Sequence, residues 1–585
     1  MNKYYFYDSE KKVYRKNGFH SISYSDGDTT ENEIFKILTE TQDVSCGSDE
    51  LQMRIHDWPT EYHLSWARSN LLIPLNLSKK SKVLELGCGC GAITRYLGEN
   101  TAEVVSVEGS LNRAKIASLR CRDLDNVKIY CDNISDFKTE DKFDVVTLIG
   151  VLEYSRKYIH ADDPIAACLA CARSFLNDGG ILVLAIENQL GLKYFNGFPE
   201  DHTGEPFFGV NDLYSQKSVV TFGSHELESI LLDAGFLNTE WYYPFPDYKL
   251  PQFILSAKGN DHPKFNLENF LCEHASPKHS INYITSFFEN RAWAVIARNK
   301  LIPAFSNSFL IVASPYDFTQ KEPNNNLLGV SFNSLRKRVF VTRTNITSSS
   351  RNEIEVSKSL LFSLHDGAEG SVNGFHHSPL PKSKYHEGTS LALQFVREVS
   401  AGNFSPDSIK IWLNYLFQQT NYDDGILSYI PGNYLDCTPR NLVKNDDGQI
   451  NYFDDEWVMN DPIPIAWVII RGLAISLHSC IIPDKYDGMT VKNLVDLILK
   501  NCDVTIPAKL WEESQKLEVE FQAAVYNKVD SPNFSEAINE KITTYSKKTI
   551  HGRFNRLRQT NKHRITMLLK KSIKTLKFFA IKAFK

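Results

Sequence analysis

No apolar run in this 585-residue chain approaches the length of a membrane-spanning helix, about 20 residues. The opening Met1-Asn2-Lys3-Tyr4-Tyr5 lacks the apolar stretch of a secretion signal, so a cytoplasmic protein is expected. The 11 cysteines are scattered, and only Cys168 and Cys171 stand as Cys-x-x-Cys. Without a second pair a zinc site is not supported, and their helical setting P-I-A-A-C-L-A-C-A-R predicts a core helix face. Thiols without a disulfide framework suit a reducing compartment. Acid is missing from one end: no Asp or Glu follows Glu540 while 14 Lys or Arg do, so the chain before them carries −19 against a total of −5. So acidic a body does not suit a general nucleic-acid binder, and no nucleic acid is expected among its partners. Composition is otherwise ordinary for a globular protein, 42% hydrophobic and 23% charged, and the length predicts two or three domains.

The most informative stretch is K-V-L-E-L-G-C-G-C-G, Lys82 to Gly91. It predicts a buried strand running into a turn at Gly87, Gly89 and Gly91, with a helix opening at Ala92. Glycines let a ligand approach the backbone, and the helix start offers free N–H groups. Spaced glycines alone do not separate dinucleotide sites from others. The acid does: Glu85, two residues before the first glycine, suits a cationic ligand such as the sulfonium and amino group of S-adenosylmethionine, not a pyrophosphate. Glu108 ends the next apolar run, where an acid can grip a ribose diol. This acid, glycine turn and second acid resemble the class I methyltransferase pattern, which has a Rossmann-like α/β fold. In that pattern an acid after the third strand meets the adenine, and Asp132, with Asn133 beside it, matches. Arg68, just ahead of the glycine strand, either holds the methionine carboxylate or is a surface arginine.

After Glu108 helical and strand patterns alternate, as in an α/β domain. The loop after the strand Phe143 to Ile149 brings Glu153 and Tyr154 toward the methyl-transfer region, since ligands of open α/β sheets lie at the carboxyl ends of strands. The stretch Glu187 to Gly204 packs polar, aromatic and glycine residues into a long loop where the acceptor should bind. Asp201 and His202 are the candidate catalytic bases for a hydroxyl acceptor, or else braces of the loop. A phosphate acceptor needs no base, only alignment of nucleophile, methyl and sulfur. From about Lys258, G-N-D-H-P-K-F-N suggests a linker.

In the second half, Asp436 and Asn441 stand in the D-x-x-x-x-N spacing of a kinase catalytic loop, followed by a turn and then Asp454. Such an arrangement resembles the small-molecule branch of the protein-kinase-like α+β fold. There the first Asp positions the acceptor hydroxyl, while the Asn and the later Asp hold Mg²⁺ on ATP. This chain departs from the pattern: Leu435 replaces the usual His, Asp455 and Glu456 follow Asp454, and no clear glycine-rich loop is present. Arg343 occupies the expected place of the ATP lysine, with Glu353 or Glu355 on a following helix as its partner. The region is either an active kinase or a scaffold. The last residues, His563 to Lys585, form a basic amphipathic pattern suited to an anionic membrane surface, or to an acidic partner or the chain's own body.

The expected order is thus an N-terminal extension or lid (1–56), a methyltransferase domain (57–258), a kinase-like domain (259–490) and a helical region with a basic tail (491–585). From Trp58 to about Pro483 it resembles the bacterial methyltransferase–kinases that cap lipopolysaccharide O-antigen. That family implies phosphorylation of a terminal sugar, methylation of that phosphate or sugar, a glycan or glycolipid acceptor, and work at the cytoplasmic face of the inner membrane beside a glycosyltransferase. The alternative is a methyltransferase whose kinase-like region only binds.

Overall fold

The computed structural model describes residues 4–18, 21–22, 27–277, 285–316, 326–349, 353–362, 370–420, 425–527, 534–542 and 544. The basic tail lies outside the described residues. Among them no helix is long and apolar enough to cross a membrane.

One sheet organises the chain from Phe6 to Lys384. Its strands are β1 (Phe6–Asp8), β2 (Val13–Arg15), β3 (Lys82–Leu86), β4 (Glu103–Glu108), β5 (Val127–Cys131), β6 (Phe143–Ile149), β7 (Leu176–Glu187), β8 (Asn238–Phe245), β9 (Phe253–Ser256), β10 (Ser308–Ser314), β11 (Leu327–Phe332), β12 (Thr342–Ser348) and β13 (Ile354–Leu360). Their spatial order is β1-β2-β5-β4-β3-β6-β7-β10-β8-β9-β11-β12-β13, with Ser383–Lys384 on the far edge. Strands β2 to β7 are parallel, which explains their near-continuous apolar runs: helices cover both faces. On one face, Leu84, Val107 and Leu148 share a core with Leu169 from the helix Pro164–Ser174. Asp163 caps that helix by accepting from the N–H groups of Ile165 and Ala166, and Pro164 fits its first turn. Fully buried Leu169 contributes about 1.5–3 kcal/mol of apolar burial. Cys168 is buried beside it and Cys171 is partly buried; all eleven cysteines are unpaired, and the Cys-x-x-Cys pair forms a helix face as expected.

Three boundaries differ from the sequence expectation. The N-terminal extension is part of the sheet: β2 pairs with β5, and the helix Asp28–Glu40 packs Ile34, Ile37 and Leu38 against Ile116. Position 258 falls inside the sheet, because β10 inserts between β7 and β8, antiparallel to both. The sheet therefore runs well past position 258, through β11, β12 and β13 to Ser383–Lys384, and the expected linker contains a short helix, Ala257–Asp261. Position 490 is likewise internal to a second core. There the helices Leu391–Ser400, Asp407–Gln418 and Ile465–Leu477 pack with Val491–Lys500 and Ala508–Val525.

Candidate active site

The glycine turn joins β3 to the helix Ala92–Asn100. Gly91 must be glycine because a Cβ would lie 2.7 Å from the Ala117 Cα in the neighbouring helix. At Gly89, with φ +54°, a Cβ would meet nothing within 4 Å, so the backbone faces open space. Glu108 fixes the turn from the next strand: its carboxylate accepts from Gly89 N–H at 2.8 Å and Ser110 N–H at 2.9 Å. Glu85 sits level with Ser106 on β4 and Thr147 on β6. It accepts from Thr94 at 2.6 Å and from Ser106 at 2.7 Å. Burial pushes its carboxyl up to about 7 in spite of those two hydroxyls.

A cavity of about 680 Å³ opens over this turn. Gly87, Gly89, Glu85 and Glu108 line one end, and Glu153, Tyr154 and His202 line the other. Arg68 lines it too, but is no surface arginine: it is buried and donates to the carbonyls of Tyr248 and Lys249, both at 3.0 Å. Asn133 borders the cavity. Asp132 faces elsewhere: its carboxylate takes the Tyr5 hydroxyl and the Lys16 ammonium, each at 2.5 Å. The adenine-facing role expected for Asp132 is therefore corrected; it anchors the N-terminal hairpin to β5.

At the far end of the cavity the structure joins groups that the sequence did not bring together. Glu187, at the carboxyl end of β7, is buried and ion-paired with Lys249. Its other oxygen lies 3.7 Å from His202 Nε2, too long for a hydrogen bond. His202 Nδ1 meets the Tyr154 hydroxyl at 3.0 Å. Asp201 binds Lys193 at 2.7 Å, Lys249 at 3.1 Å and the Tyr194 hydroxyl. Burial would raise Asp201 and Glu187, but Lys193 and Lys249 hold Asp201 well below its usual range, and Lys249 together with His202 does the same for Glu187. Burial opposes the His202 cation, yet neighbouring Glu187 lifts it to about 9. His202 thus keeps its proton at neutral pH and Asp201 is locked in ion pairs, so neither is set as a base in this state. Burial next to Glu187 pushes Glu153 up to about 8.

In the second region, Asp436, Asn441 and Asp454 come from adjacent loops. Asn441 donates its amide to the Asp436 carbonyl at 3.0 Å, and its own carbonyl accepts from Phe453 N–H at 3.0 Å. Between them runs the hairpin Leu442–Lys444 and Ile450–Tyr452. Asp436 pairs with Arg471 at 3.0 Å, and Arg471 with buried Glu518 at 2.6 Å. The lysine at Asp454 is one the sequence reading passed over: Lys358, on β13, which also reaches Glu456 at 2.9 Å. Arg343 instead donates to Ser359 at 3.2 Å, and the segment expected as a helix near Glu355 is β13 itself.

Residues 84–182 match a family model described as a methyltransferase domain. The ubiquinone biosynthesis O-methyltransferase of Idiomarina loihiensis is 32% identical over 112 residues, 18% of this chain and 43% of that protein. The ribosomal RNA small subunit methyltransferase A of Streptococcus mutans is 38% identical over 68 residues, 11% of this chain and 23% of that one. The chain thus spans less than half the length of these curated relatives. A solved methyltransferase of Haemonchus contortus, with phosphomonomethylethanolamine and S-adenosylhomocysteine bound, is 16% identical over 43% of this chain and 54% of that chain, at a TM-score of 0.27. With an acid, a glycine turn and a second acid placed as described on parallel strands, the chain carries a class I S-adenosylmethionine-dependent methyltransferase domain.

Proposed function

We propose that this chain transfers the methyl group of S-adenosylmethionine to a bacterial surface polysaccharide or to its terminal phosphate, and that its second region phosphorylates the terminal sugar with Mg²⁺–ATP. The observation that carries the methyltransferase reading is the open space at Gly89 between Glu85 and Glu108. Glu85 would face the cationic part of the cofactor and Glu108 the ribose. The bound cofactor supplies an electrophilic methyl on sulfur; the chain's share is to orient the acceptor toward it. Lys193 and Lys249 at the acceptor end are already paired with Asp201 and Glu187, so what favours a phosphate acceptor is that neither His202 nor Asp201 is set as a base. An already ionised phosphate removes the need for one.

Lys358 beside Asp454 supports a nucleotide site, with Asn441 and Asp454 as the Mg²⁺ ligands and Asp436 toward the sugar. The scaffold reading rests on the buried Arg471–Glu518 network that occupies Asp436. Calorimetry of Mg²⁺–ATP with the full chain decides between them. Binding that disappears in Asp454→Ala supports the kinase; no binding to the folded wild type leaves a methyltransferase with a binding module. A glycosyltransferase partner and an anionic membrane surface complete the proposal. Deleting residues 562–585 should then move the protein from membrane to soluble fractions, and a wild type found only in the soluble fraction would contradict it.

A further inference from the structure

We propose a divalent-cation site at the acceptor end of the cavity, made by Glu153, Glu187 and His202. One ligand atom from each lies within 4.8 Å of the others. Glu153 is completely buried, and neither of its carboxylate oxygens has a hydrogen-bond partner among the described residues. Its side chain lines the cavity, while its backbone carbonyl is occupied separately by Val220 N–H at 3.0 Å. A buried carboxylate left without a partner is costly, so a cation is its natural complement. Glu187 Oε2 and His202 Nε2 are likewise unpartnered and face each other across 3.7 Å.

The surroundings of the three groups have the form of an outer coordination shell. Metal-bound histidine commonly donates its other ring N–H, and metal-bound carboxylates are themselves held by neighbours. His202 Nδ1 meets Tyr154, which leaves Nε2 for a metal. Lys249 takes Glu187 Oε1, which leaves Oε2. Lys249 and Lys193 are in turn tied to Asp201, so the lysines flank the site without filling it. Two carboxylates and one imidazole suit a first-row ion such as Mn²⁺, Fe²⁺ or Zn²⁺ better than Ca²⁺. Such an ion displaces protons from its ligands on binding. Its remaining positions open toward the cavity, where they would take oxygens of the phosphate acceptor; that last step alone rests on the function proposed above.

The test is a Mn²⁺ titration of the chelator-treated full chain, followed by electron paramagnetic resonance. An Asp454→Ala background removes metal binding at the second region. One bound Mn²⁺ showing nitrogen modulation from imidazole is expected. Glu153→Gln, which keeps the shape of the side chain but cannot ionise to a carboxylate ligand, should weaken binding about tenfold or more. His202→Gln should abolish the nitrogen signal, which a second-region site of Asn and Asp ligands cannot produce. The proposal is overturned if saturating Mn²⁺ gives no nitrogen modulation, or if the signal survives in His202→Gln. S-adenosylmethionine binding to the metal-free protein, measured separately, tests the methyltransferase reading alone, so the two can fail independently.

Discussion

Glu85 makes cofactor binding and protein stability respond to pH in opposite directions. Its carboxyl is raised to about 7 by burial in the free protein. A cationic ligand needs the ionised form, so below that value binding must first expel a proton. Each pH unit below 7 then costs roughly 1.4 kcal/mol, or about tenfold in affinity. S-adenosylmethionine should bind about tenfold more weakly at pH 6 than at pH 8, with the affinity levelling off above 7. The free protein behaves oppositely. Its folded-state carboxyl lies above the unfolded value, so the folded state holds a proton that the unfolded chain has lost. Stability from this group is fully present below the unfolded value and falls as pH rises through 7, by on the order of 3 kcal/mol. Calorimetry in two buffers of different ionisation enthalpy counts the expelled protons, and Glu85→Gln should flatten the profile. A wild-type affinity independent of pH between 6 and 8, or the same slope in Glu85→Gln, would refute the reasoning.

Arg471 lies between two acids of the second core, one of them fully buried, so Arg471→Ala should cost about 3–5 kcal/mol in urea unfolding; a loss below 1 kcal/mol would mean the network is relaxed. Asp132→Ala should release Tyr5 and Lys16 and expose the first 18 residues to limited proteolysis, at a cost of about 1–3 kcal/mol, while Asp132→Asn should retain part of the protection.

The parallel core was legible because its strands are buried on both faces and read as unbroken apolar runs; the register of β3 against β4 and β6 needs little else. The glycine turn and its two acids were legible because they are local. What escaped is non-local. The run in β10 is as apolar as any central strand, but its place between β7 and β8 is set by pairing with distant segments. Asp132 matches its motif by position, yet Tyr5 and Lys16 from the chain's start decide where its carboxylate points. Glu187 stood at a strand end, where the rule for α/β sheets already pointed, but its burial against Lys249 and its approach to His202 depend on a loop folding back. Lys358 sits in the alternating segment I-E-V-S-K-S-L, a period-two pattern that signals a strand although helix-favouring acids precede it.

The central claim is that the glycine turn holds S-adenosylmethionine, and the most direct measurement is its affinity for wild type and Gly89→Arg. A side chain at Gly89 meets no protein atom within 4 Å of its Cβ, so the fold should survive with a backbone cost of about 1–2 kcal/mol, visible as a small drop in melting temperature. The same side chain would fill the cofactor space between Glu85 and Glu108. The account predicts saturable binding by wild type and none by the folded variant. Equal affinity in both proteins would contradict it.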